Sequence, residues 1–176
     1  DLELQMFEET MEILASNGYE QYEISNYAKP GCQCKHNLVY WNNGSWWPLG
    51  PAAAGHVAGR RWRNVPRLSL YNKHVGLPPI EAVELLSPCG QAGETFMLGL
   101  RLIKGIPKNR VNRLLSVKDG AWRAEIIKKH VRAGLLAWSP NLHLTVSGIM
   151  LADTVIGELL MEAPPMVDTS NQERNG

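Results

Sequence analysis

The sequence predicts an α/β fold followed by a mostly helical unit, and three patterns carry that prediction. Apolar residues between positions 2 and 14 recur at helical spacing and stop at Asn17-Gly18, which is typical of an amphipathic helix. Residues 19–27 alternate and are rich in aromatic and β-branched types, which indicates a strand. Helical patterns around a short hairpin at 135–144, with a final helix after it, predict a winged-helix-like end.

The middle of the chain divides at a proline-containing segment. A short helix is predicted from residue 68, and Leu77-Pro78-Pro79 is the best internal boundary. Beyond it, the spacing of apolar residues predicts helices over four stretches: 81–103 (as two helices or one broken helix), 107–115, 122–131 and 145–162. We therefore expect a first unit over 1–76, a second over 77–163, and a disordered polar tail over 164–176.

Composition bounds the class of protein. The 176 residues are 44% hydrophobic and 20% charged, enough to bury one moderate core or two small ones. The formal charge is only +1, so we expect no strong attraction for nucleic acid or for an anionic membrane. Three cysteines fit a reducing compartment better than a disulfide framework, and no apolar run approaches the ~20 residues that span a bilayer. A cytoplasmic location is the resulting expectation.

The segment most indicative of chemistry is H-N-L-V-Y-W at 36–41. An imidazole can ligate haem iron and aromatic rings can cover the apolar macrocycle, so we interpret His36 as a candidate axial ligand, with Asn37, Tyr40 and Trp41 around it. Cys34 is a rival ligand, because a thiolate two residues earlier could bind iron instead. The competing interpretation is a strand-edge segment whose aromatic residues belong to an ordinary core.

A second group of residues could contact haem propionates. Arg60 and Arg61 stand in an arginine-rich cluster, and arginine binds carboxylates with paired donors. The alternative is a solvated hairpin tip with Trp62 packed beneath it. His56 is either a second ligand or a polar surface or hinge residue, and no catalytic residue is predicted.

Five stretches in order carry a family resemblance: residues 18–31 (GYEQYEISNYAKPG), 34–41 (CKHNLVYW), 49–51 (LGP), 94–102 (ETFMLGLRL) and 144–153 (LTVSGIMLAD). They resemble the oxygen-independent coproporphyrinogen III oxidase-like radical S-adenosylmethionine proteins. The H-N-x-x-Y-W run is similar to the haem chaperone branch, where it is thought to take part in holding haem. The resemblance implies that residues 1–76 are the last turns of an incomplete (β/α) barrel, with Ser25 and Asn26 near the end of a barrel strand.

The cluster motif of that family is missing from this sequence. A [4Fe-4S] cluster that binds S-adenosylmethionine needs thiolates spaced C-x-x-x-C-x-x-C, whereas the cysteines here are Cys32, Cys34 and Cys89. The resemblance implies that the cluster and S-adenosylmethionine bind to an upstream part of a longer protein. We therefore expect that this chain does not carry out the radical step by itself. The family also has a glycine where Ala52 stands, and alanine is expected to reach a positive φ less easily.

Three functions remain open at this point. The first is the C-terminal part of a haem chaperone-like protein that binds haem and passes it to an unidentified acceptor protein, with membrane association only through that acceptor. The second is an anaerobic coproporphyrinogen III oxidase of porphyrin biosynthesis, and the third is a non-catalytic interaction unit. A DNA-binding winged helix is disfavoured, because acidic residues such as Glu125, Asp153 and Glu158 offset Lys128 and Lys129.

Overall fold

A computed structural model of the chain describes residues 2–161 and 163. The predicted disordered tail over 164–176 lies outside these described residues. The elements, in chain order, are α1 (Leu2–Ser16), β1 (Glu20–Glu23), β2 (Asn26–Ala28), α2 (Lys35–Trp41), β3 (Ala54–Val57), β4 (Arg60–Asn64), α3 (Leu68–Tyr71), β5 (Ile80–Leu85), α4 (Pro88–Gly99), α5 (Lys108–Leu114), α6 (Gly120–Arg132), β6 (Leu136–Trp138), β7 (Leu142–Leu144), α7 (Val146–Met150) and α8 (Ala152–Leu160).

The predicted strand over 19–27 is wrong in one respect, because it is an antiparallel hairpin of β1 and β2. Glu23 is fully buried, and its carboxylate accepts hydrogen bonds from the Ser25 backbone N–H (3.2 Å) and from the Asn26 side chain. These bonds turn the chain back on itself at residues 24–25. Ser25 and Asn26 therefore lie at a hairpin turn, and residues 2–161 and 163 form no closed barrel.

Strands β3, β4 and β5 form an antiparallel sheet in that order. Residues 81–85, expected to be helical, belong to strand β5, where charged cross-strand neighbours match: Arg63 donates to Glu81 over 2.8 Å, and Arg61 lies opposite Glu84. The sheet thus continues across the predicted boundary at 76/77.

The main core lies in the second half of the chain, where α4 packs on α8 beside α6 and the β6–β7 hairpin. Its centre consists of fully buried apolar side chains, among them Phe96, Val111, Leu142, Val155 and Leu159. The predicted hairpin strands are confirmed; β7 buries Leu142 and Leu144 at alternate positions, and β6 buries Leu136. None of the helices in the described residues is both long and apolar enough to cross a bilayer.

The final helical stretch begins where the sequence predicts and is divided once. The Thr145 hydroxyl accepts from the Gly148 N–H at 3.0 Å, which caps the first turn of α7. Leu151, at φ −115°, interrupts the helix between α7 and α8. Helices α7 and α8 both contribute to the same core, in which Ile149 and Val155 are buried.

Candidate functional site

The H-N-x-x-Y-W run is the short helix α2, and the interpretation as a strand-edge segment is wrong. Its C-terminus is closed by Asn43, which adopts a left-handed conformation at φ 50°. The Asn43 N–H donates to the Tyr40 carbonyl and the Gly44 N–H donates to the Val39 carbonyl, both at 2.8 Å. This paired arrangement satisfies carbonyls that the helix leaves open and fixes where it ends.

One face of α2 presents His36 and Tyr40, which are one helical turn apart. Their ring centroids are 4.7 Å apart and the rings are nearly perpendicular, at 89°. The His36 side chain is exposed and Tyr40 is half-buried. An accessible imidazole beside an aromatic ring is the combination that the sequence predicted for an iron ligand and a macrocycle contact.

The adjacent face of α2 presents Asn37 and Trp41 toward the protein. The Asn37 amide donates to the Tyr22 hydroxyl over 3.2 Å, which ties the helix to β1. The Arg101 guanidinium lies 4.9 Å from the centre of the Trp41 ring, a cation–π contact. Asn37 and Trp41 therefore help to hold the helix in place, and their position beside a ligand stays a prediction.

The C-terminal end of α2 is tied to the helical half of the chain. The Asn43 amide donates to Glu94 (3.2 Å) and to the Thr95 hydroxyl (3.1 Å), and both of these residues are buried in α4. Arg110 donates to the Asn42 carbonyl at 2.8 Å, and its positive charge complements the helix dipole there. Burial, and then the charge of Arg113, lowers the pKa of Arg110. The orientation of α2 is thus fixed from several sides.

An aromatic residue that sequence reasoning did not assign to the site continues the His36–Tyr40 face. The Trp46 ring centroid lies 4.4 Å from that of Tyr40, and the His56 ring centroid lies 5.0 Å from that of Trp46. His56 is only 4% exposed, and its Nδ1 donates to the Gly44 carbonyl over 2.7 Å. His56 is therefore a buried residue, and its interpretation as a surface residue is wrong.

The two arginines predicted to hold propionates have different surroundings. Arg61 forms an ion pair with the buried Glu94 and lies 3.9 Å from Glu84, so its charge is already balanced within the protein. Arg60 is exposed at the start of β4, beside the β3–β4 turn. Of the two, Arg60 has the side chain that is accessible to a ligand carboxylate.

Cys34 is exposed at the N-cap of α2, and its thiol makes no capping hydrogen bond. It lies two residues before His36, so both rivals for iron stand at the same end of the helix. Within residues 2–161 and 163, no three histidine, cysteine or acidic side chains are grouped to hold a metal ion.

The loop before β3 holds Ala52 in a left-handed backbone conformation. Alanine is expected to reach a positive φ less easily than glycine, but Ala52 has a φ of 58° here. Asn64, fully buried, donates from its amide to the Pro48 and Gly50 carbonyls and holds this loop against the sheet. The surrounding hydrogen bonds impose the conformation on Ala52.

No family model matches the chain, but comparison with individual proteins is informative. The chain is 31% identical over 163 residues to the haem chaperone HemW of Lactococcus lactis, covering 92% of this chain and 43% of that protein. It is 35% identical over 150 residues to HemW of Mycobacterium tuberculosis (84% and 36%) and 50% identical over 124 residues to HemW of Haemophilus influenzae (69% and 32%). The chain thus spans about two fifths or less of these relatives.

Among solved structures, the chain is similar to coproporphyrinogen III oxidase (HemN) of Escherichia coli, described as a radical SAM enzyme. The TM-score is 0.65 at 14% identity, over 89% of this chain and 40% of that one, which shows a shared fold. The sequence comparisons thus relate the chain to a part of the haem chaperones, and the structural comparison relates its fold to that of a coproporphyrinogen III oxidase.

Proposed function

We propose that this chain supplies the haem-holding part of a haem chaperone-like protein, with His36 as the axial ligand of the iron. The main support for this proposal is the division of α2 into two faces. Asn37 and Trp41 anchor the helix inward, while His36 and Tyr40 face outward with their rings in contact. A ligand at His36 would therefore meet a fixed, accessible imidazole with an aromatic neighbour.

A chaperone must also release its cargo. An exposed imidazole at one end of a short helix binds iron without burying the macrocycle deeply, which suits handing haem to an acceptor protein. Arg60, exposed near the β3–β4 turn, is the proposed partner of a propionate. We assign the iron to His36 in preference to Cys34, because His36 has its aromatic neighbour Tyr40 on the same helix face.

The activity of the longer relatives remains a proposal for this chain. We propose that α1 and the β1–β2 hairpin border a (β/α) barrel in the complete protein, which would supply the [4Fe-4S] cluster and S-adenosylmethionine site. The end of the chain, from α6 through α8, would form its winged-helix-like part. We place the protein in the cytoplasm, as its cysteine usage suggests, and propose a protein acceptor for haem.

A haem titration followed by absorption spectroscopy tests the ligand. We expect a saturable Soret shift for the wild-type chain, a loss of affinity of at least ten-fold in His36→Ala, and little change in Cys34→Ala. His74→Ala is the matched control, because His74 is exposed and lies outside the site. Retained binding in His36→Ala with loss in Cys34→Ala would assign the thiolate instead, and no saturable shift in any chain would overturn the proposal.

The second candidate is an anaerobic coproporphyrinogen III oxidase, which the fold similarity to that enzyme favours. This function requires oxidative decarboxylation of two propionates to vinyl groups. In a reconstituted longer protein, vinyl product formed from coproporphyrinogen III would support it, whereas stoichiometric haem binding without product would support the chaperone.

A further inference from the structure

We propose that Trp46 is a further haem-contacting residue and that His56 positions it; this inference rests on the function proposed above. Three ring contacts carry it: 4.7 Å between His36 and Tyr40, 4.4 Å between Tyr40 and Trp46, and 5.0 Å between Trp46 and His56. The candidate ligand is therefore one end of a continuous aromatic row that leaves α2 and reaches the β3–β4 sheet.

The Trp46 ring is held before any ligand arrives. Its indole Nε1 donates to the Ala54 carbonyl at 2.9 Å, and its backbone pairs with that of His56 in both directions, at 2.7 and 3.1 Å. The buried His56 ring packs against it and is itself fixed by the Gly44 carbonyl. A half-buried ring that is already ordered loses little conformational freedom when a flat ligand stacks on it.

The neighbouring Trp47 provides a contrast within the same dipeptide. Its ring contacts Trp62, with 5.5 Å between centroids, and lines a separate apolar cavity of about 520 Å³ with Pro48 and Leu49. Trp47 is 66% exposed, so it is the more accessible of the two indoles to solvent. The two tryptophans thus differ in partners while sharing residue type and chain position.

The members of the row have different roles under this inference. His36 recognises the iron, whereas Trp46 together with Tyr40 recognises the flat apolar ring system. Binding of metal-free protoporphyrin IX, which has no iron to ligate, should then depend on Trp46 and hardly on His36. Haem binding should depend on both residues.

The test titrates haem and metal-free protoporphyrin IX into the wild-type chain, Trp46→Leu, Trp46→Phe, Trp47→Leu and His36→Ala. Trp46→Leu should weaken both ligands about ten-fold, an effect within the range of one aromatic contact and its buried area. Trp46→Phe should recover most of the affinity, and Trp47→Leu should match wild type. His36→Ala should weaken haem alone.

A second measurement uses the wild-type chain and so does not depend on a variant folding. Haem should protect the Trp46 indole, and not Trp47, from oxidation by N-bromosuccinimide, as read by fragment mass spectrometry. Equal protection of both tryptophans, or equal affinities of Trp46→Leu and Trp47→Leu, would overturn the role of Trp46 while the His36→Ala result still supports the proposed function. Failure of the wild-type chain to bind haem would overturn both.

Discussion

Four residues other than glycine have a positive φ in the described part of the chain: Asn43, Ala52, Ala58 and Ala82. Asparagine tolerates this conformation, but an alanine β-carbon is crowded there, at a cost of about 1–2 kcal/mol. The alanines all stand in or next to the β3–β4–β5 sheet, at the loop before β3, the β3–β4 turn and a bulge in β5. Local strain is therefore concentrated around the sheet that carries His56.

Ala52→Gly is expected to raise the free energy of unfolding by about 0.5 kcal/mol, because relief of the strained φ outweighs the added freedom of the unfolded chain. Urea denaturation followed by circular dichroism measures the change. Ala53→Gly is the control, since Ala53 is outside the positive-φ region and its replacement should lower stability. A loss of stability in both variants would show that Ala52 is not strained.

At the scale of single elements, the sequence predicted a helix well where one face is apolar and capped. The last helical stretch begins at Thr145, as predicted. Both strands of the β6–β7 hairpin also lie where the sequence predicts them. The prediction failed for α2, which has seven residues and is too short to show a clear apolar period. Likewise, the Glu23 carboxylate that turns β1 into β2 acts through local hydrogen bonds that hydrophobic spacing does not record.

The same limit applies to the candidate site. The residue types of H-N-x-x-Y-W indicated a ligand and aromatic contacts, but their division into two faces depends on helical geometry, which the sequence did not reveal. Trp46 was missed because the turn at Asn43-Gly44 returns the chain toward Tyr40. Its only signal in the sequence is an aromatic residue directly after a turn dipeptide.

The C-terminal end of α8 depends on one buried cation in α6. Arg123 is fully buried and donates to the backbone carbonyls of Leu159 (3.1 Å), Cys89 (3.0 Å) and Met161 (3.2 Å). These bonds satisfy carbonyls at the end of one helix and near the start of another, α4. A single guanidinium thus joins three helices.

Arg123→Met is expected to lower the free energy of unfolding by about 3 kcal/mol, because it leaves buried carbonyls without donors. Arg132→Met in the same helix is the matched control and should change stability by less than about 0.5 kcal/mol, since Arg132 is exposed. Urea midpoints compare the two variants with the wild-type chain. Equal midpoints for both variants would mean that the hydrogen bonds of Arg123 do not stabilise the contact between these three helices.

At the scale of the whole molecule, an ionic contact between α6 and α8 makes stability depend on pH. Lys129 donates to both oxygens of Glu158, at 2.7 and 2.8 Å, and the His130 ring lies 3.1 Å from one of them. The hydrogen bond from Lys129 lowers the pKa of Glu158 below its ordinary value of 4.5, against an opposing effect of burial and with help from His130. The folded state therefore favours the charged carboxylate.

A group with a lowered pKa stabilises the fold above its unfolded pKa, and that contribution is lost as pH falls through the lower folded value. Glu158→Gln should therefore melt below wild type at pH 7, and the difference should shrink as the pH is brought below 4.5. Thermal unfolding at several pH values measures this, with Glu12→Gln on the exposed face of α1 as control. A difference that is constant with pH would contradict the assignment.

Helix α2 has no buried residue, so its folding depends on contacts with neighbouring elements. A helix of seven residues is too short to be stable alone, so contacts with neighbouring residues must stabilise it. These residues are Tyr22, Glu94, Arg101 and Arg110. A ligand that binds only the folded helix must in turn stabilise the folded chain. The gain is about 2.7 kcal/mol when the free ligand concentration is a hundred times its Kd. Under the proposed function, haem-bound chains would then resist heat and proteolysis more than haem-free ones.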